Sequence, residues 1–351
     1  MYKFYKNLLV LSAVSLMVFS SCARDVEESG ESIQRRILES YVRVNYGNDI
    51  KPTKSGMYII QLEQGTGKAL ADSLYPFIKY SKIAISGEYL SSTYESISKQ
   101  LGNYSEDGYY GPRIWRIGDK TLSPGVEELL KTMKVGAKAR GIIPPWLLDV
   151  ETGVEINGGS GSVNIFDIEV VQVEEDIFQY QYDHLKDFSN KNYGGIDTLE
   201  KGFFFKALDP KEEKDTLSND TDVKVKYIGR YLDGRIFDTN DADTAKKYRI
   251  YDVNSSSKYD MMSVKYFKDF EKMQKEESNK YVKGFLKTIY NMKYGERAVG
   301  FFNSDFGYGA AGNMTGNIGI PEYTPLSFEI YIDLKPVKEE DKDDDKNDDK
   351  K

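Results

Sequence analysis

The sequence predicts an α+β protein in which one small module occurs twice. Three observations support this class. Segments in the two halves match in the same order, and several short stretches alternate apolar and polar residues as half-buried strands do. Each half also carries one stretch with apolar residues at helical spacing. Each module should therefore be a bent antiparallel sheet wrapped around a short helix.

The duplication rests on four pairs of segments. The matching ranges are 55–68 with 200–210, 75–90 with 222–237, 125–144 with 284–303, and 162–173 with 325–337. The separation between partners grows along the chain, so the second copy carries the longer insertion. The predicted organisation is a leader at 1–21, a tether and linker helix at 22–54, a first module at 55–173, a linker helix at 174–199, a second module at 200–337 with an insertion at about 253–280, and a charged tail at 338–351.

The leader has the features of a bacterial lipoprotein signal. Lys3 and Lys6 form a basic head, and residues 8–19 form an apolar run too short to span a bilayer comfortably. Small residues then precede Cys22, the only cysteine. We expect cleavage before Cys22 and acylation of its thiol, with about 0.8 kcal/mol gained per buried methylene. The alternative is an ordinary secretion signal in which Cys22 is incidental.

This leader predicts a lipid-anchored protein of the cell envelope of a bacterium. The membrane would be contacted through the anchor, and the acidic residues Asp25, Glu27 and Glu28 favour the outer membrane. An acylated Cys22 would leave the mature protein without a thiol for disulfides. The tail at 338–351 has no apolar residue and should be a disordered, solvated segment.

Each module begins after a segment predicted to be a helix. In the first segment, Ile33, Ile37, Tyr41 and Val44 share one face. In the second, the shared face is formed by Ile177, Tyr180, His184 and Phe188. Both are interpreted as linker helices, or as helices that pack across a module.

The second module shows the element order most clearly. VKVKYIG alternates as a strand, residues 232–234 (LDG) form a turn signal, and SFEIYIDL reads as the closing strand. Phe285, Ile289 and Met292 predict a helix, and the first module has Val126, Leu129, Leu130 and Met133 in the same place. Residues 258–280, within the insertion, mix Phe, Met and Lys and predict an amphipathic helix beside the groove.

Composition excludes several classes of function. The net charge of −8 leaves no basic excess to neutralise phosphates, so nucleic acid is not the expected partner. His184 is the only histidine, which nearly excludes histidine-based metal sites and Ser-His or Cys-His catalysis. We predict no metal and no cofactor.

Three segments of the second module follow one another in a characteristic order: VKVKYIGRYLDGRIFDTN, then GFLKTIYNMKYGERAVGFFNSDFGYGAAGN, then IPEYTPLSFEIYIDL. In this joint order the second module resembles the FK506-binding-protein family of peptidyl-prolyl isomerases. This resemblance implies that the fold comprises two tandem FKBP-like domains. It also implies that the active site is a hollow lined by apolar and aromatic side chains.

The resemblance implies roles for individual residues. Tyr227, Phe237 and Asp238 match the family's Tyr…Phe-Asp, and Tyr308 in DFGYG matches the tyrosine whose hydroxyl donates to the substrate carbonyl beside proline. These four are the expected catalytic residues. The expected substrate-binding residues are Val282 through its backbone N–H, Phe285 as the floor, Ile320 and Phe328 as walls, and Tyr248 as a further wall.

Two positions depart from the family pattern. Phe285 stands where the family most often has Trp, which keeps a flat floor but loses area and the indole N–H. We expect this change to lower activity or drug affinity modestly. Asn313 stands where some members have His. The insertion is the larger departure, since it could cover or redirect the groove.

The first module is interpreted as degenerate. Tyr80 and Phe166 remain, but Tyr89 replaces the Phe and Leu90 the Asp. Val126 occupies the floor position, and residues 142–150 (IIPPWLLDV) replace the segment that would supply the hydroxyl donor. A structural or peptide-docking role is therefore expected for this copy.

The sequence predicts a peptidyl-prolyl cis–trans isomerase of the cell envelope that assists folding of exported proteins, with activity in the second module. Its partners would be unfolded or exported polypeptides that contain proline, and a ligand similar to FK506 would bind the hollow. Two alternatives remain open: a non-catalytic peptide-binding or chaperone lipoprotein, and a purely structural envelope lipoprotein.

Overall fold

The computed structural model describes residues 29–105, 108–148, 162–313 and 319–335. The leader, Cys22 and the charged tail lie outside the described residues. The chain divides into two units, residues 1–50 and 51–351. Within the described residues, no helix is both long enough and apolar enough to cross a membrane.

The described part of the first unit contains helix α1, Gly30–Tyr46. Its first turn is capped by Ser29, whose hydroxyl accepts a hydrogen bond from the Ser32 N–H at 3.2 Å. Ile33, Ile37 and Val44, which share one face of this helix, are exposed, and its buried residues are Leu38 and Val42. An i, i+4 ion pair between Glu31 and Arg35 supports the helix on its exposed side.

The first module is a six-stranded antiparallel sheet with one short helix across it. The strands pair in the order β1-β5-β6-β2-β3, and β4 pairs with the start of β2. The elements in chain order are β1 Tyr58–Glu63, β2 Tyr75–Ala84, β3 Tyr89–Ser92, α2 Glu95–Leu101, β4 Arg113–Ile114, α3 Pro124–Lys131, β5 Lys138–Ile143, a 3-10 turn Pro145–Leu147, and β6 Asn164–Glu174.

The second module repeats this arrangement. Its strands pair in the order β10-β9-β13-β12-β8-β7, with β11 on the start of β9. The elements are β7 Thr198–Glu200, β8 Phe203–Asp209, a 3-10 turn Glu213–Asp215, β9 Thr221–Tyr231, β10 Ile236–Thr239, α5 Ala242–Lys247, a 3-10 segment Val253–Tyr259, β11 Met262–Tyr266, α6 Phe270–Lys275, α7 Lys283–Tyr290, β12 Arg297–Phe302, a 3-10 turn Ser304–Phe306, and β13 Leu326–Ile332.

The two sheets have one topology. Strands β1 to β6 correspond in order and pairing to β8 to β13, and helix α3 corresponds to α7. The fold class is therefore α+β with two tandem modules, each a bent antiparallel sheet around a short helix, as the sequence predicted. Met133 and Met292, expected at the ends of the helical stripes, lie just past α3 and α7 and are buried.

Glycines allow each helix to approach its sheet closely. A Cβ at Gly284 on α7 would overlap the ring of Phe302, and one at Gly300 on β12 would overlap Thr288. The first module has glycines at the corresponding positions. A Cβ at Gly125 on α3 would overlap Ile143, and one at Gly141 on β5 would come within 2.7 Å of Leu129. The separation of helix and sheet is thus fixed by four missing side chains.

Helix α4, Ile177–Tyr193, connects the modules. It begins at Asp176, whose carboxylate accepts hydrogen bonds from the N–H groups of Phe178 and Gln179. Its buried positions are Ile177, Gln181, Leu185 and Ser189, so the expected face that contained His184 is wrong in part.

Gln181 is buried on this helix because its side chain forms polar contacts with Ser304. The Gln181 side-chain oxygen accepts from the Ser304 N–H at 2.7 Å, and its amide donates to the Ser304 hydroxyl at 3.1 Å. A satisfied amide can replace an apolar residue inside a protein.

The insertion is not the amphipathic helix that we expected. Its middle part, Met262–Tyr266, is strand β11 and pairs with β9. Phe270–Lys275 is α-helical, and Val253–Tyr259 is a 3-10 segment. Met262–Tyr266 alternates in exposure, with Val264 and Tyr266 buried. An alternation of two residues is typical of a strand, not of the helix that the composition suggested.

We predict that Gly284→Ala destabilises the chain, because the new methyl group must displace the buried Phe302 ring. Overpacking costs about 1–3 kcal/mol, which exceeds the gain of about 1 kcal/mol from replacing glycine by alanine in a helix. Urea unfolding of the full chain measures the change. Gly30→Ala is the control, because nothing lies within 4 Å of its added methyl group. Equal midpoints for Gly284→Ala and the wild type would contradict the packing argument.

Candidate functional site

The candidate site begins with a cluster of aromatic rings in the second module. The Phe285 ring on α7 meets Phe328 on β13 at 5.2 Å between centroids and Tyr227 on β9 at 5.5 Å, both nearly edge to face. Phe285 and Phe328 are buried. Such edge-on contacts add to the burial of the rings and fix their orientation. Phe285 therefore forms a rigid apolar base beside the sheet.

Tyr227 and Asp238 are joined across neighbouring strands. The Tyr227 hydroxyl donates to the Asp238 carboxylate at 2.6 Å. Burial raises the pKa of the Tyr227 phenol, and the Asp238 carboxylate and the phenols of Tyr308 and Tyr281 raise that pKa further. The phenol is consequently held protonated as a donor.

Backbone contacts fix the strand that carries this pair. The Asn240 side-chain oxygen accepts from the Tyr227 N–H at 2.7 Å, and the Thr239 hydroxyl donates to the Tyr227 carbonyl at 2.6 Å. Asn240 also donates to the carbonyls of Val225 and Asp260. These bonds bind the end of β10 to β9 and to the start of β11.

Phe237 forms one wall of the ring cluster. It packs against Phe328 at 5.5 Å and 83° and against Tyr231 at 5.4 Å. Gly229 on β9 makes room for it, since a Cβ there would lie 2.6 Å from the Phe237 ring. The glycine of the YIGRY segment thus has a packing function.

Val282, Ile320 and Tyr308 approach the same apolar cluster from three loops. Val282 precedes α7, Ile320 is buried, and Tyr308 follows the 3-10 turn Ser304–Phe306. Ile320 is held by paired backbone hydrogen bonds with Asn313, at 2.7 and 2.6 Å. The structure thus brings eight of the nine expected site residues to one apolar cluster, directly or through the Tyr227–Asp238 bond.

Tyr248 is the residue that is not brought to this cluster. It ends helix α5, is 44% exposed, and is absent from the described apolar cluster around Phe285. The Arg230 guanidinium carbon lies 5.9 Å from the centre of its ring, and the Lys247 ammonium lies 5.6 Å from it. The ring therefore takes part in cation–π contacts at the surface.

Two residues at the site were missed by sequence reasoning. The Tyr281 ring lies 5.3 Å from that of Phe285, and burial raises the pKa of its phenol. The Lys258 ammonium lies 2.8 Å from the Asp238 carboxylate. Tyr281 could have been found from its position directly before Val282, whereas no pattern pairs Lys258 with Asp238.

The first module places different groups at the corresponding positions. Tyr80 packs against Trp115 at 5.2 Å, and Val126 is fully buried at the floor position. Strand pairing places Leu90 at the position of Phe237 and Ser91 at that of Asp238, so the expected alignment of Tyr89 with Phe237 and Leu90 with Asp238 is wrong by one residue. The Trp146 indole N–H donates to the Ser55 carbonyl at 3.2 Å. This copy lacks the carboxylate–phenol pair of the second module.

A separate cleft of about 740 Å³ lies between the two modules. It is lined by side chains of both modules and of α4, among them Phe77, Ile114, Tyr180, His184, Arg230, Tyr231 and Tyr323. Among the described residues, no group of three or more His, Cys, Asp or Glu side chains could hold a metal ion.

The second module has an apolar ring cluster and few groups for proton transfer or covalent chemistry. The rings are packed together and buried, the Tyr308 phenol is a hydrogen-bond donor, and the Tyr227 phenol already donates to Asp238. A site of this kind can hold a proline ring and contact the neighbouring carbonyl groups of a peptide.

Comparison with known proteins gives structural neighbours only. No protein-family model and no curated protein matches the chain. The three FKBP domains of wheat FKBP73 are similar at 19% identity and a TM-score of 0.30, covering 80% of this chain and 95% of that one. FkpA from Escherichia coli is similar at 24% identity and a TM-score of 0.31, covering 47% and 70%. A peptidyl-prolyl cis-trans isomerase from Pseudomonas syringae pv. tomato is similar at 19% identity and 0.31, covering 42% and 95%.

We predict that the free energy of unfolding falls less steeply at alkaline pH in Tyr227→Phe than in the wild type. Folding raises the pKa of the Tyr227 phenol above its ordinary value of 10.0, so the phenol loses its proton at lower pH in the unfolded chain than in the folded one. The contribution of Tyr227 to stability is present below about pH 10 and falls as pH rises further. Urea unfolding from about pH 9 to about pH 11 measures the slope, and Tyr248→Phe removes an exposed phenol as the matched control. Equal slopes for the wild type and Tyr227→Phe would refute this assignment.

Proposed function

We propose that the second module is a peptidyl-prolyl cis–trans isomerase of the FK506-binding-protein type. The observation that carries the proposal is the ring cluster of Phe285, Phe328 and Phe237, bordered by the hydrogen-bonded pair Tyr227–Asp238. It combines an apolar base for a proline ring with polar groups at its edge. The substrates would be proline-containing segments of unfolded or exported polypeptides.

The chemistry requires binding and no covalent intermediate. Rotation about an X-Pro bond passes a barrier of about 18–20 kcal/mol, because resonance holds the imide planar. Apolar surroundings disfavour the charge-separated resonance form, and the twisted imide must be bound more tightly than the planar one. A hollow of rings with few fixed donors meets both requirements.

Each residue has a proposed part in this reaction. Phe285 supports the proline ring, and Ile320, Phe328 and Phe237 enclose it. The Tyr308 hydroxyl and the Val282 N–H donate to carbonyls of the substrate backbone. Tyr227 and Asp238 form a fixed polar edge beside the ring cluster, with the phenol proton held by the carboxylate.

We further propose that the chain acts at the cell envelope of a bacterium, held by lipid on Cys22. This proposal rests on the leader sequence alone. Labelling of cells with a fatty acid, followed by analysis of the chain with and without Cys22→Ala, tests it. Loss of label in the variant is the expected result, and label retained without Cys22 would contradict it.

A non-catalytic peptide-binding role is the second candidate function. The observation that favours it is the Lys258–Asp238 ion pair, because a residue of the insertion already occupies the carboxylate. Both side chains are partly exposed, at 45% and 37%, and pairs of this kind contribute about 0–1 kcal/mol. A substrate could therefore displace Lys258 at little cost, which favours the enzyme.

We predict that the full chain accelerates isomerisation of X-Pro peptides and proline-limited refolding, and that FK506 blocks both. Tyr308→Phe should lower kcat/KM up to about tenfold, since one hydrogen bond contributes about 0.5–1.5 kcal/mol. Asp238→Val should also lower it. Tyr89→Phe, on the corresponding strand β3 of the first module, is the control that should leave activity unchanged. A wild-type chain that accelerates neither reaction would remove the isomerase proposal and favour the second candidate.

We predict that Lys258→Met raises kcat/KM by no more than about fivefold, because it frees Asp238 from a weak exposed pair. The measurement is the same peptide assay. Lys275→Met, which breaks an exposed pair with Glu271 on α6, is the matched control. A large loss of activity in Lys258→Met would show that the lysine takes part in the reaction and does not merely cover the carboxylate.

A further inference from the structure

The loop at 319–325, which carries the wall residue Ile320, is held by the other module. Arg113 on strand β4 of the first module donates to Glu322 through two nitrogens, with Nε 2.7 Å from Oε2 and Nη2 2.5 Å from Oε1. The two side chains are only 13% and 10% exposed, although 209 residues separate them. Such a two-bond contact fixes the orientation of both groups.

An aromatic contact holds the next residue of this loop. The Tyr323 ring meets Tyr75 of the first module at 5.3 Å and 87°. Tyr75, Phe77, Ile177 and Tyr323 form one buried cluster. Tyr323 has a φ of +52°, a conformation that a bulky residue adopts only where its surroundings impose it.

The same loop is tied to the segment of Tyr308. The Tyr323 N–H donates to the Gly309 carbonyl at 2.9 Å, directly after Tyr308. At the start of the loop, the Tyr231 hydroxyl donates to the Gly319 carbonyl at 2.9 Å. A displacement of this loop would therefore reach both a wall and a hydroxyl donor of the proposed site.

The turn after β9 gives a second connection between the modules. The Arg235 guanidinium donates to the Gly108 carbonyl of the first module at 3.0 Å, and the Tyr109 ring lies 6.4 Å from Tyr231. Tyr231 thus contacts the first module on one side and the loop through Gly319 on the other. The contacts between the modules converge on the parts of the second module that border its ring cluster.

We propose that the first module is a positioning element for the site of the second, acting through the Arg113–Glu322 pair on the loop at 319–325. This inference rests on the proposed function. The pair preorganises Ile320 and, through Tyr323 and Gly309, the Tyr308 segment. Arg113 and Glu322 are positioning residues, because they act on the substrate only through this loop.

Preorganisation predicts a particular kinetic change. When only a fraction of the chains has the loop in place, apparent affinity falls by that fraction, whereas the bound complex reacts as before. Arg113→Met and Glu322→Gln should therefore raise KM by about fivefold to tenfold and leave kcat nearly unchanged. General destabilisation of the chain would not raise KM while leaving kcat unchanged.

The experiment uses the full chain and X-Pro peptides, with hydrogen exchange of the loop amides as a second readout. The single variants are Arg113→Met and Glu322→Gln, and the double variant Arg113→Met/Glu322→Leu replaces the pair by apolar side chains, which often restores packing. Arg140→Met is the matched control, because Arg140 makes a similar two-bond contact with Asp167 inside the first module.

The expected result is a raised KM and faster exchange at 319–325 in the single variants, partial recovery in the double variant, and neither effect in Arg140→Met. Unchanged KM and unchanged loop exchange in both single variants would overturn the proposal. Equal effects in Arg140→Met would also overturn it, since they would show general destabilisation.

The exchange readout separates this inference from the proposed function. A wild-type chain without activity, whose loop still exchanges faster in Arg113→Met, would refute the isomerase and support the contact between modules as the constraint on the loop. An active wild-type chain whose loop does not respond to Arg113→Met would support the isomerase and refute the positioning role.

Discussion

The close approach of one helix to one sheet is the constraint on which each module depends. Gly284 and Gly300 allow it in the second module, and Gly125 and Gly141 allow it in the first. Phe285 directly follows Gly284, so the height of its ring above the sheet is set by this approach. The edge-on contacts of Phe285 with Tyr227 and Phe328 depend on that height.

The two modules share one backbone topology but differ in the side chains at the positions that correspond to the candidate site. Pairing order and the glycine positions agree between them, yet Val126 fills the floor position in the first and Phe285 fills it in the second. Ser91 stands where Asp238 bonds Tyr227. The fold therefore does not determine what the hollow can bind, and the side chains at a few positions do.

Local patterns made much of the fold predictable, because alternation, turn signals and helical stripes are properties of neighbouring residues. They gave the duplication, the strands around Tyr227 and Phe328, and the helix of Phe285. The insertion was misread, since Met262–Tyr266 becomes a strand only by pairing with β9. Contacts between distant residues, such as Lys258 with Asp238 and Arg113 with Glu322, leave no local signal. The roles of the individual site residues stay predictions.

The bond between Arg113 and Glu322 also has a consequence for biosynthesis. Domains generally fold as units during translation, with the N-terminal one first. Arg113 would then lie in an already folded module while the next 209 residues are synthesised. Glu322 leaves the ribosome shortly before β13, the central closing strand of the second sheet. The site of the second module is thus completed only after Glu322 and Phe328 have been made, and a product truncated before Glu322 would lack both the contact with Arg113 and the Phe328 ring.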